Sequence, residues 1–373
     1  MNNLYKILSY ARSSYKIRFK NNLNLVLNMI ERKLKKTRLL SYPVTLDIVP
    51  TKLCNLNCIF CIQYSSADTK QLTLDSFKII AKKLFPYVSR VNFCSGGEPF
   101  LNKDFMEFLS ICRESRVMVN ITSNGTLLSE AICKKLIEND SIMSFNFSFD
   151  GAKKGTVESI RRGIDYQKVV DNMRTMAILK HSCKRKIPLL NIRYTVMRRN
   201  IEELPDLVLL ARKWGIDTVI VNYLNVANGI DIKESLLYHP ELTRRIFKKV
   251  SEISKIEKIR VNLPRPIGEQ QKIKSCEYPW KFMRIDPDGS VRFCYKAWVN
   301  PIGNIFTDNN LCNLWNNMRF QLLRKTLNTD TPYFKYCSVC SVRRGMEDVI
   351  SHVQSQRKDL YKFNEGLNKL CAG

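Results

Sequence analysis

The chain has few histidines, few acidic residues and no long apolar run. Only 3 of its 373 residues are histidine, and 34 Asp and Glu stand against 61 Lys and Arg. No apolar run approaches the roughly 20 residues that a membrane-spanning helix needs. The first residues do not resemble a signal peptide, so the 13 cysteines do not indicate a disulfide-rich secreted domain. We expect a protein of the reducing cytoplasm, in which cysteine serves metal binding and packing.

The scarcity of acidic residues leaves a formal net charge of +27. Such a surplus predicts an anionic partner: nucleic acid, an anionic lipid surface or a phosphorylated substrate. Because 45% of the residues are hydrophobic, the chain can bury a large core, in one domain or two.

Residues 1–44 form a basic helical segment in our interpretation, because Met1 to Ser41 hold ten Lys and Arg against Glu31 alone. Its apolar residues recur at helical spacing: Leu23, Val26, Leu27, Ile30 and Leu34. Two placements are open. The helix either lies on an anionic membrane surface, which would make the protein membrane-peripheral, or packs on the main domain with its basic face in solvent.

Residues 45–262 alternate between apolar, β-branched runs and stretches of helical period. The candidate strands are TLDIV, RVNFC, VMVNIT, MSFNFSF, LNIRYTV and TVIVN, and the helices begin near Leu74, Lys103, Leu128, Lys168, Ile201 and Pro240. Six such repeats predict a parallel sheet covered by helices, as an open sheet or a full or partial barrel. Function is expected at the carboxyl ends of the strands.

Residues 263–345 change pattern and predict a smaller α+β domain. A turn, DPDG, separates the strand-like FMRI and SVRFC, and an amphipathic run follows. Residues 346–373 are expected to be a helical tail.

Three cysteines, Cys54, Cys58 and Cys61, follow the first predicted strand without a neighbouring histidine or acidic residue. A cubane iron–sulfur cluster takes one thiolate per iron, so three thiolates would leave one iron open. A structural zinc site would want a fourth protein ligand, and a catalytic one a nearby His or carboxylate. The pattern therefore favours an open [4Fe-4S] cluster.

This loop resembles the signature of the radical S-adenosylmethionine (radical SAM) superfamily, which has an aromatic residue, here Phe60, before the third cysteine. SGGEP at Ser95 to Pro99, TSNGT, FSFDG and ESIRRGIDYQKVVDNM are also similar to family motifs, and each follows its own strand or turn in order. The resemblance covers about residues 45 to 225. It implies a partial (β/α)6 TIM-like barrel that cleaves S-adenosylmethionine at the cluster, yielding a 5′-deoxyadenosyl radical that abstracts hydrogen from substrate.

The resemblance also implies roles for individual residues around S-adenosylmethionine. Gly96 and Gly97 would expose backbone carbonyls to the methionine amine with the support of Glu98 and Pro99. Ser123 and Asn124 would lie near the ribose. Ser148 and Arg161 would lie near the methionine carboxylate.

Cys276, Cys294, Cys337 and Cys340 form a second set. Four thiolates fit either a closed cluster or an all-cysteine zinc site. The surrounding sequence resembles the SPASM and shorter twitch extensions of radical enzymes, which implies a fully ligated auxiliary [4Fe-4S] cluster that accepts an electron from a substrate radical. An external reducing donor such as flavodoxin or ferredoxin is also implied.

The sequence contains no motif that identifies the substrate. Relatives with such an extension oxidise polyols or sugars, or modify peptides. We expect a sugar, polyol or lipid-linked glycan and an oxidoreductase, because residues 1–44 are too short and too helical for a leader-binding module. The alternatives are a peptide- or protein-modifying maturase, a redox-neutral epimerase and, more remotely, a zinc protein that binds nucleic acid. Cys94, at the end of the second strand, is a weak candidate for a catalytic thiol.

Overall fold

The structure is a computed structural model. It describes residues 19–61, 68–224, 232–267, 275–295, 301–334, 337 and 340.

The described residues contain one large sheet and one short strand pair. The strands are β1 (Thr45–Ile48), β2 (Asn57–Cys58), β3 (Arg90–Phe93), β4 (Met118–Ser123), β5 (Ile142–Ser148), β6 (Arg161–Arg162), β7 (Leu189–Val196), β8 (Thr218–Tyr223), β9 (Arg260–Asn262), β10 (Phe282–Ile285), β11 (Ser290–Arg292) and β12 (Gly303–Asn304). The large sheet has the order β12-β11-β10-β1-β3-β4-β5-β7-β8-β9, and β2 pairs with β6. All six predicted strands are present, as β1, β3, β4, β5, β7 and β8, and they pair in parallel. The predicted partial barrel is confirmed.

Most of the helices lie in the connections between the strands; the first precedes β1, and the last two follow β12. They are α1 (Phe19–Lys33), α2 (Leu74–Leu84), α3 (Phe105–Glu114), α4 (Glu130–Glu138), α5 (Lys154–Ile160), α6 (Tyr166–Ser182), α7 (Leu204–Lys213), α8 (Pro240–Ile256), α9 (Tyr278–Lys281), α10 (Leu311–Trp315) and α11 (Met318–Thr326). Local sequence fixes several starts, because the side chains of Thr73, Ser129 and Asp165 accept hydrogen bonds from the first turns of α2, α4 and α6. Such caps satisfy backbone donors that a helix leaves unpaired.

Aromatic side chains fill the space between the sheet and the helices. The rings of Phe77 on α2 and Phe108 on α3 stack with centroids 4.3 Å apart. Phe93 on β3 meets Phe105 edge to face at 5.2 Å. These geometries are the ones that aromatic quadrupoles favour, and they fix the two helices on the barrel wall.

The predicted hairpin of the C-terminal region continues the barrel sheet. Its first strand, β10, pairs in parallel with β1, and β11 and β12 follow antiparallel. Asp286 in the hairpin is buried and lies 3.4 Å from the ammonium of Lys52, at the start of the cysteine loop. The two cysteine-bearing regions are therefore in direct contact. The proposed domain boundaries stay predictions, and the tail 346–373 lies outside the described residues.

Helix α1 packs on the barrel through asparagine side chains. Asn21 donates to the carbonyl of Val88 (2.9 Å), Asn24 to that of Tyr87 (3.0 Å), and Asn28 to that of Trp280. The apolar side chains at helical spacing point the other way: Leu23, Val26 and Ile30 are exposed. The helix thus packs on the main domain, but through its polar face. Backbone carbonyls at the amino ends of the strands need donors, and the asparagines supply them.

Within the part of the chain that the structure describes, none of the helices has the length and hydropathy to cross a membrane.

Candidate active site

The three-cysteine loop follows the carboxyl end of β1 and is tied to the loop after β5. Its short strand β2 pairs with β6, so that Cys58 lies opposite Arg161. Cys58 is buried, Cys61 half-buried and Cys54 exposed. The guanidinium of Arg161 donates to the sulfur of Cys58 over 3.6 Å and lies above the ring of Phe60, 5.4 Å from its centroid. Arg161 therefore packs against Cys58 and Phe60 of the loop, and its predicted contact with the methionine carboxylate stays a prediction.

The thiol chemistry of this loop fits an iron–sulfur cluster. Burial raises the pKa of Cys58 to about 11, against the lowering effect of Arg161, and burial also raises the pKa of Cys54. A metal deprotonates a coordinating thiol outright. Among the described residues, no three His, Cys, Asp or Glu converge on a single metal ion. A cubane bonds each thiolate to a different iron, so its ligands need no such convergence.

Gly96 and Gly97 lie directly against the backbone before the first cysteine. A Cβ on Gly97 would lie 1.7 Å from the carbonyl oxygen of Leu53, and one on Gly96 would lie 2.3 Å from a methyl of Val49. Gly96 also has a φ of +89°, which favours glycine. The amides of Gly97 and Glu98 donate to the carbonyls of Thr51 and Leu53, which holds the two segments close together. A side chain at either glycine would collide at this distance.

Glu98 is buried and joins this loop to the one after β4. Its carboxylate accepts from the hydroxyl of Ser123 and from the backbone amide of Asn124, each at 2.7 Å. Burial nevertheless raises the pKa of Glu98 to about 7. The next residue, Pro99, is buried and begins a 3-10 turn. The side-chain amide of Asn124 donates to the side-chain oxygen of Asn55 on the cysteine loop (2.9 Å). The predicted ribose contacts of Ser123 and Asn124 stay predictions.

Asp150 is a site residue that the sequence reasoning missed. It is fully buried, lies 2.7 Å from Arg161 and accepts from the backbone amide of Thr195. Burial raises its pKa, and Arg161 opposes the rise. Nε of Arg161 is buried without a hydrogen-bond partner among the described residues. Half-buried Ser148 ends β5, two residues from Asp150. Nε of Arg161 is therefore available to donate to a ligand. The predicted contacts of Ser148 and Arg161 with the methionine carboxylate stay predictions.

Three cysteines of the second set, Cys276, Cys294 and Cys340, lie near a pair of tyrosines. Tyr278 and Tyr295 have ring centroids 5.7 Å apart. The electrostatic influence of Cys294 and Cys276 reaches Tyr278, and that of Cys294 and Cys340 reaches Tyr295. Cys337 is buried, and its amide donates to the carbonyl of Phe334, whose ring stacks on Phe293 beside Cys294. Contacts across the region thus bring together segments that are distant in sequence.

Comparison with protein families agrees with this geometry. The model of the radical SAM superfamily matches residues 48–211. The SPASM model, an iron–sulfur cluster-binding domain, matches residues 276–341, and together the two span well over half of the chain. The chain belongs to the radical SAM superfamily. As a radical SAM protein with a SPASM domain, it uses S-adenosylmethionine and [4Fe-4S] clusters.

Its relatives act on different substrates. The probable GTP 3',8-cyclase of Methanocaldococcus jannaschii is 23% identical over 308 residues, which are 79% of this chain and 93% of that protein. Mycofactocin maturase MftC of Mycobacterium tuberculosis is 25% identical over 289 residues, which are 74% of this chain and 71% of that protein.

The solved structure of Streptococcus suis SuiB bound to S-adenosylmethionine has a TM-score of 0.65 at 19% identity, and the match covers 87% of this chain and 77% of that one. SuiB bound to its precursor peptide SuiA has a TM-score of 0.64 at 18% identity, over 94% of this chain and 81% of that one. At this identity, the likeness establishes a shared fold.

The barrel of this radical SAM protein encloses a cavity of about 720 Å³, bordered by β-strands and by α9. Its wall is polar, because several strands turn an asparagine inward: Asn92, Asn120, Asn146 and Asn191. These amides form two linked pairs, from Asn120 to Asn92 (2.8 Å) and from Asn191 to Asn146 (3.0 Å). These four asparagines are not among the predicted site residues. Each of the four strands nevertheless carries one asparagine among its hydrophobic residues.

Charged side chains also face the cavity. Asp47 is buried, accepts from Ser95 and keeps its second oxygen without a hydrogen-bond partner among the described residues; Nε of Arg193 is likewise unpaired there. Cys94 also lines the cavity and donates to the carbonyl of Asn120. Burial raises the pKa of Cys94 to about 11, so its sulfur is a thiol at neutral pH. A catalytic role for Cys94 stays a prediction. Tyr278 and Tyr295 line the same cavity.

Proposed function

We propose that this protein is a peptide-modifying radical SAM oxidoreductase. A relative named a maturase aligns with about three quarters of this chain, and the fold of a protein solved with its precursor peptide covers 94% of it. This breadth of likeness to a maturase and to a protein that binds a precursor peptide carries the proposal.

The earlier expectation of a sugar, polyol or glycan rested on the shape of residues 1–44. In the structure, α1 supplies donors to Val88, Tyr87 and Trp280 at the amino end of the barrel. The helical character of this segment therefore has a structural cause that is unrelated to the substrate. With that argument removed, the peptide alternative becomes the better supported one.

In this proposal, Cys54, Cys58 and Cys61 hold the cluster that binds S-adenosylmethionine, and the bound pair supplies the radical that removes hydrogen from the substrate. Gly96 and Gly97 keep their loop close to the cysteine loop. Arg161, fixed by Asp150 at 2.7 Å, offers its unpaired Nε to the methionine carboxylate. Glu98 holds the loops after β3 and β4 together.

The substrate lies in the polar cavity. Asparagine amides present both donors and acceptors, which suits the backbone amides of a peptide. Asp47 and Arg193 have unpaired polar atoms among the described residues and are placed to bind polar groups of the substrate residue.

Cys276, Cys294, Cys337 and Cys340 would hold the auxiliary cluster, which would supply an acceptor for the electron of the substrate radical and so make the net reaction an oxidation. Tyr278 and Tyr295 line the cavity and lie near three of these cysteines, Cys276, Cys294 and Cys340. The remaining parts of the proposal are a cytoplasmic location and a reducing donor of the flavodoxin or ferredoxin type. Nucleic acid is not a partner.

The test uses anaerobically reconstituted protein with S-adenosylmethionine and dithionite. Peptides encoded near the gene are compared with sugars and polyols as substrates, and Cys58→Ser is the inactive control. We expect a peptide that loses the mass of two hydrogens as 5′-deoxyadenosine forms. Oxidation of a sugar or polyol with no peptide product would contradict the proposal.

A further inference from the structure

Helix α1 carries an exposed row of apolar side chains on the face away from the barrel. We call Leu23, Val26 and Ile30 of the helix, with Leu34 directly after its end, the apolar stripe; their side chains are 58%, 54%, 48% and 64% exposed. They recur at intervals of three or four residues, so they lie along one side of the helix. Leu40, shortly after the helix, is 75% exposed.

The stripe is exposed because the opposite face is fixed by specific hydrogen bonds. Asn21, Asn24 and Asn28 donate to backbone carbonyls of the barrel, and Glu31 accepts from the amides of Leu40 and Ser41. All four side chains are buried. Turning the stripe inward would leave these carbonyls and amides without partners, which costs more than an exposed leucine saves. The orientation is therefore built into the fold.

Basic side chains surround the end of the stripe. Exposed residues here are Lys33, Lys35, Lys36 and Arg38. The only acidic residue between Met1 and Ser41 is Glu31, and its buried carboxylate accepts hydrogen bonds from the amides of Leu40 and Ser41. The face that carries the stripe is therefore both apolar and positively charged.

We propose that the apolar stripe inserts into the interface of an anionic membrane and holds the enzyme on its surface. An apolar row rimmed by Lys and Arg is the pattern of helices that lie in the plane of a bilayer. Basic residues near the surface add attraction to anionic lipid head groups. The proposal does not depend on which substrate the enzyme uses.

The position of the stripe is compatible with catalysis. The carbonyls that bind α1 belong to Val88, Tyr42 and Trp280, which precede β3, β1 and β10. The helix therefore lies at the amino ends of the strands, whereas the cysteine loop follows the carboxyl end of β1. A membrane on the stripe would leave the S-adenosylmethionine site facing the cytoplasm.

The experiment is flotation of the full-length protein with vesicles of equal parts phosphatidylglycerol and phosphatidylcholine, compared with vesicles of phosphatidylcholine alone. We expect binding to the anionic vesicles that falls as salt is raised. The variant Leu23→Gln/Ile30→Gln should lose at least about tenfold in binding. Its iron content and thermal unfolding should be unchanged, because both side chains are exposed.

The matched control is Ile178→Gln/Ile256→Gln, which removes two exposed apolar side chains from other helices, 64% and 75% exposed. It should bind as the unaltered protein does. Several results would overturn the proposal: no binding to anionic vesicles at low salt, equal binding to both kinds of vesicle, or equal loss in the control.

Two further measurements test two alternatives: that the first residues of the chain bind the membrane, and that the stripe is a dimer interface. If Leu4→Gln/Leu8→Gln abolished binding while the stripe variant kept it, the membrane contact would belong to the first residues of the chain and the stripe would not be the site. If sedimentation showed a dimer that only the stripe variant dissolves, the stripe would be an interface between copies. Either result contradicts the proposal; a monomer in solution that floats through its stripe supports it.

Discussion

The two ends of the barrel are held together by different chemistry. At the carboxyl ends of the strands, loops meet through the buried charges of Glu98, Asp150 and Arg161. At the amino ends, helix α1 is held mostly by neutral amides such as Asn24 and Asn28, beside the buried carboxylate of Glu31. Neutral amides connect loops without the cost of burying charge. The carboxyl ends, which we call the charged end, carry the desolvation cost of these buried charges, and we interpret them as the binding end.

The largest expected effect comes from the cysteine loop. Changing Cys54, Cys58 and Cys61 together to Ala should remove about four of about eight irons, because each cubane holds four. S-adenosylmethionine cleavage should disappear with them. Iron and sulfide analysis and the visible spectrum of the anaerobic protein measure the loss. Full iron content in this variant would show that the charged end binds no cluster.

The second-largest effect is expected when the buried ion pair between Asp150 and Arg161 is broken. Asp150→Ala leaves Arg161 as an unpaired buried charge, and we expect a loss of about 3–5 kcal/mol in the free energy of unfolding. The control is Asp140→Ala, which breaks the exposed pair between Arg113 and Asp140 (3.1 Å) and should cost no more than about 1 kcal/mol. Denaturant unfolding compares the two. Similar losses would remove the distinction between a binding site and an ordinary surface pair.

Glu98 should make stability depend on pH. Its pKa is raised from 4.5 to about 7 in the folded protein, so the folded state holds the proton more tightly than the unfolded state. This contribution is present below about pH 4.5 and is lost as the pH rises through 7. We expect about 2–3 kcal/mol of stability to be lost between about pH 5 and pH 8. Glu98→Gln should flatten this part of the curve; an unchanged slope would assign it to other carboxyls such as Asp47.

Substitutions at the amino ends of the strands should have the smallest effect on stability and activity. Asn28→Ala leaves the carbonyl of Trp280 without its side-chain donor, and we expect a loss of about 1–2 kcal/mol with no change in S-adenosylmethionine cleavage. The control is Asn22, an exposed asparagine of the same helix. Asn22→Ala should change the free energy of unfolding by less than about 0.5 kcal/mol. Loss of cleavage in Asn28→Ala would mean that the amino end also serves catalysis.

Much of the barrel was predictable because its signals are local. The six strands stand out as apolar runs, and helix starts are marked by capping residues such as Thr73 and Ser129. The family motifs likewise lie in the loops that directly follow their strands. Each of these features depends on neighbours in sequence.

The rest depends on partners that are distant in sequence. Nothing near Asn28 indicates that it bonds to Trp280, 252 residues away, so apolar spacing alone suggested the wrong inner face for α1. Asp150 gains its role only when β6 brings Arg161 against the cysteine loop. The asparagines of the cavity did carry a signal, a single polar residue inside each strand, which a search by strand position would have found.

The most direct test of the account measures 5′-deoxyadenosine from S-adenosylmethionine in two variants under the same anaerobic, reducing conditions. Cys58→Ser should form none. Cys337→Ser/Cys340→Ser should still form it, because the account assigns cleavage to the three-cysteine loop and only the later electron transfer to the second set. Continued cleavage by Cys58→Ser, or none in the double variant with its first cluster intact, would contradict the assignment.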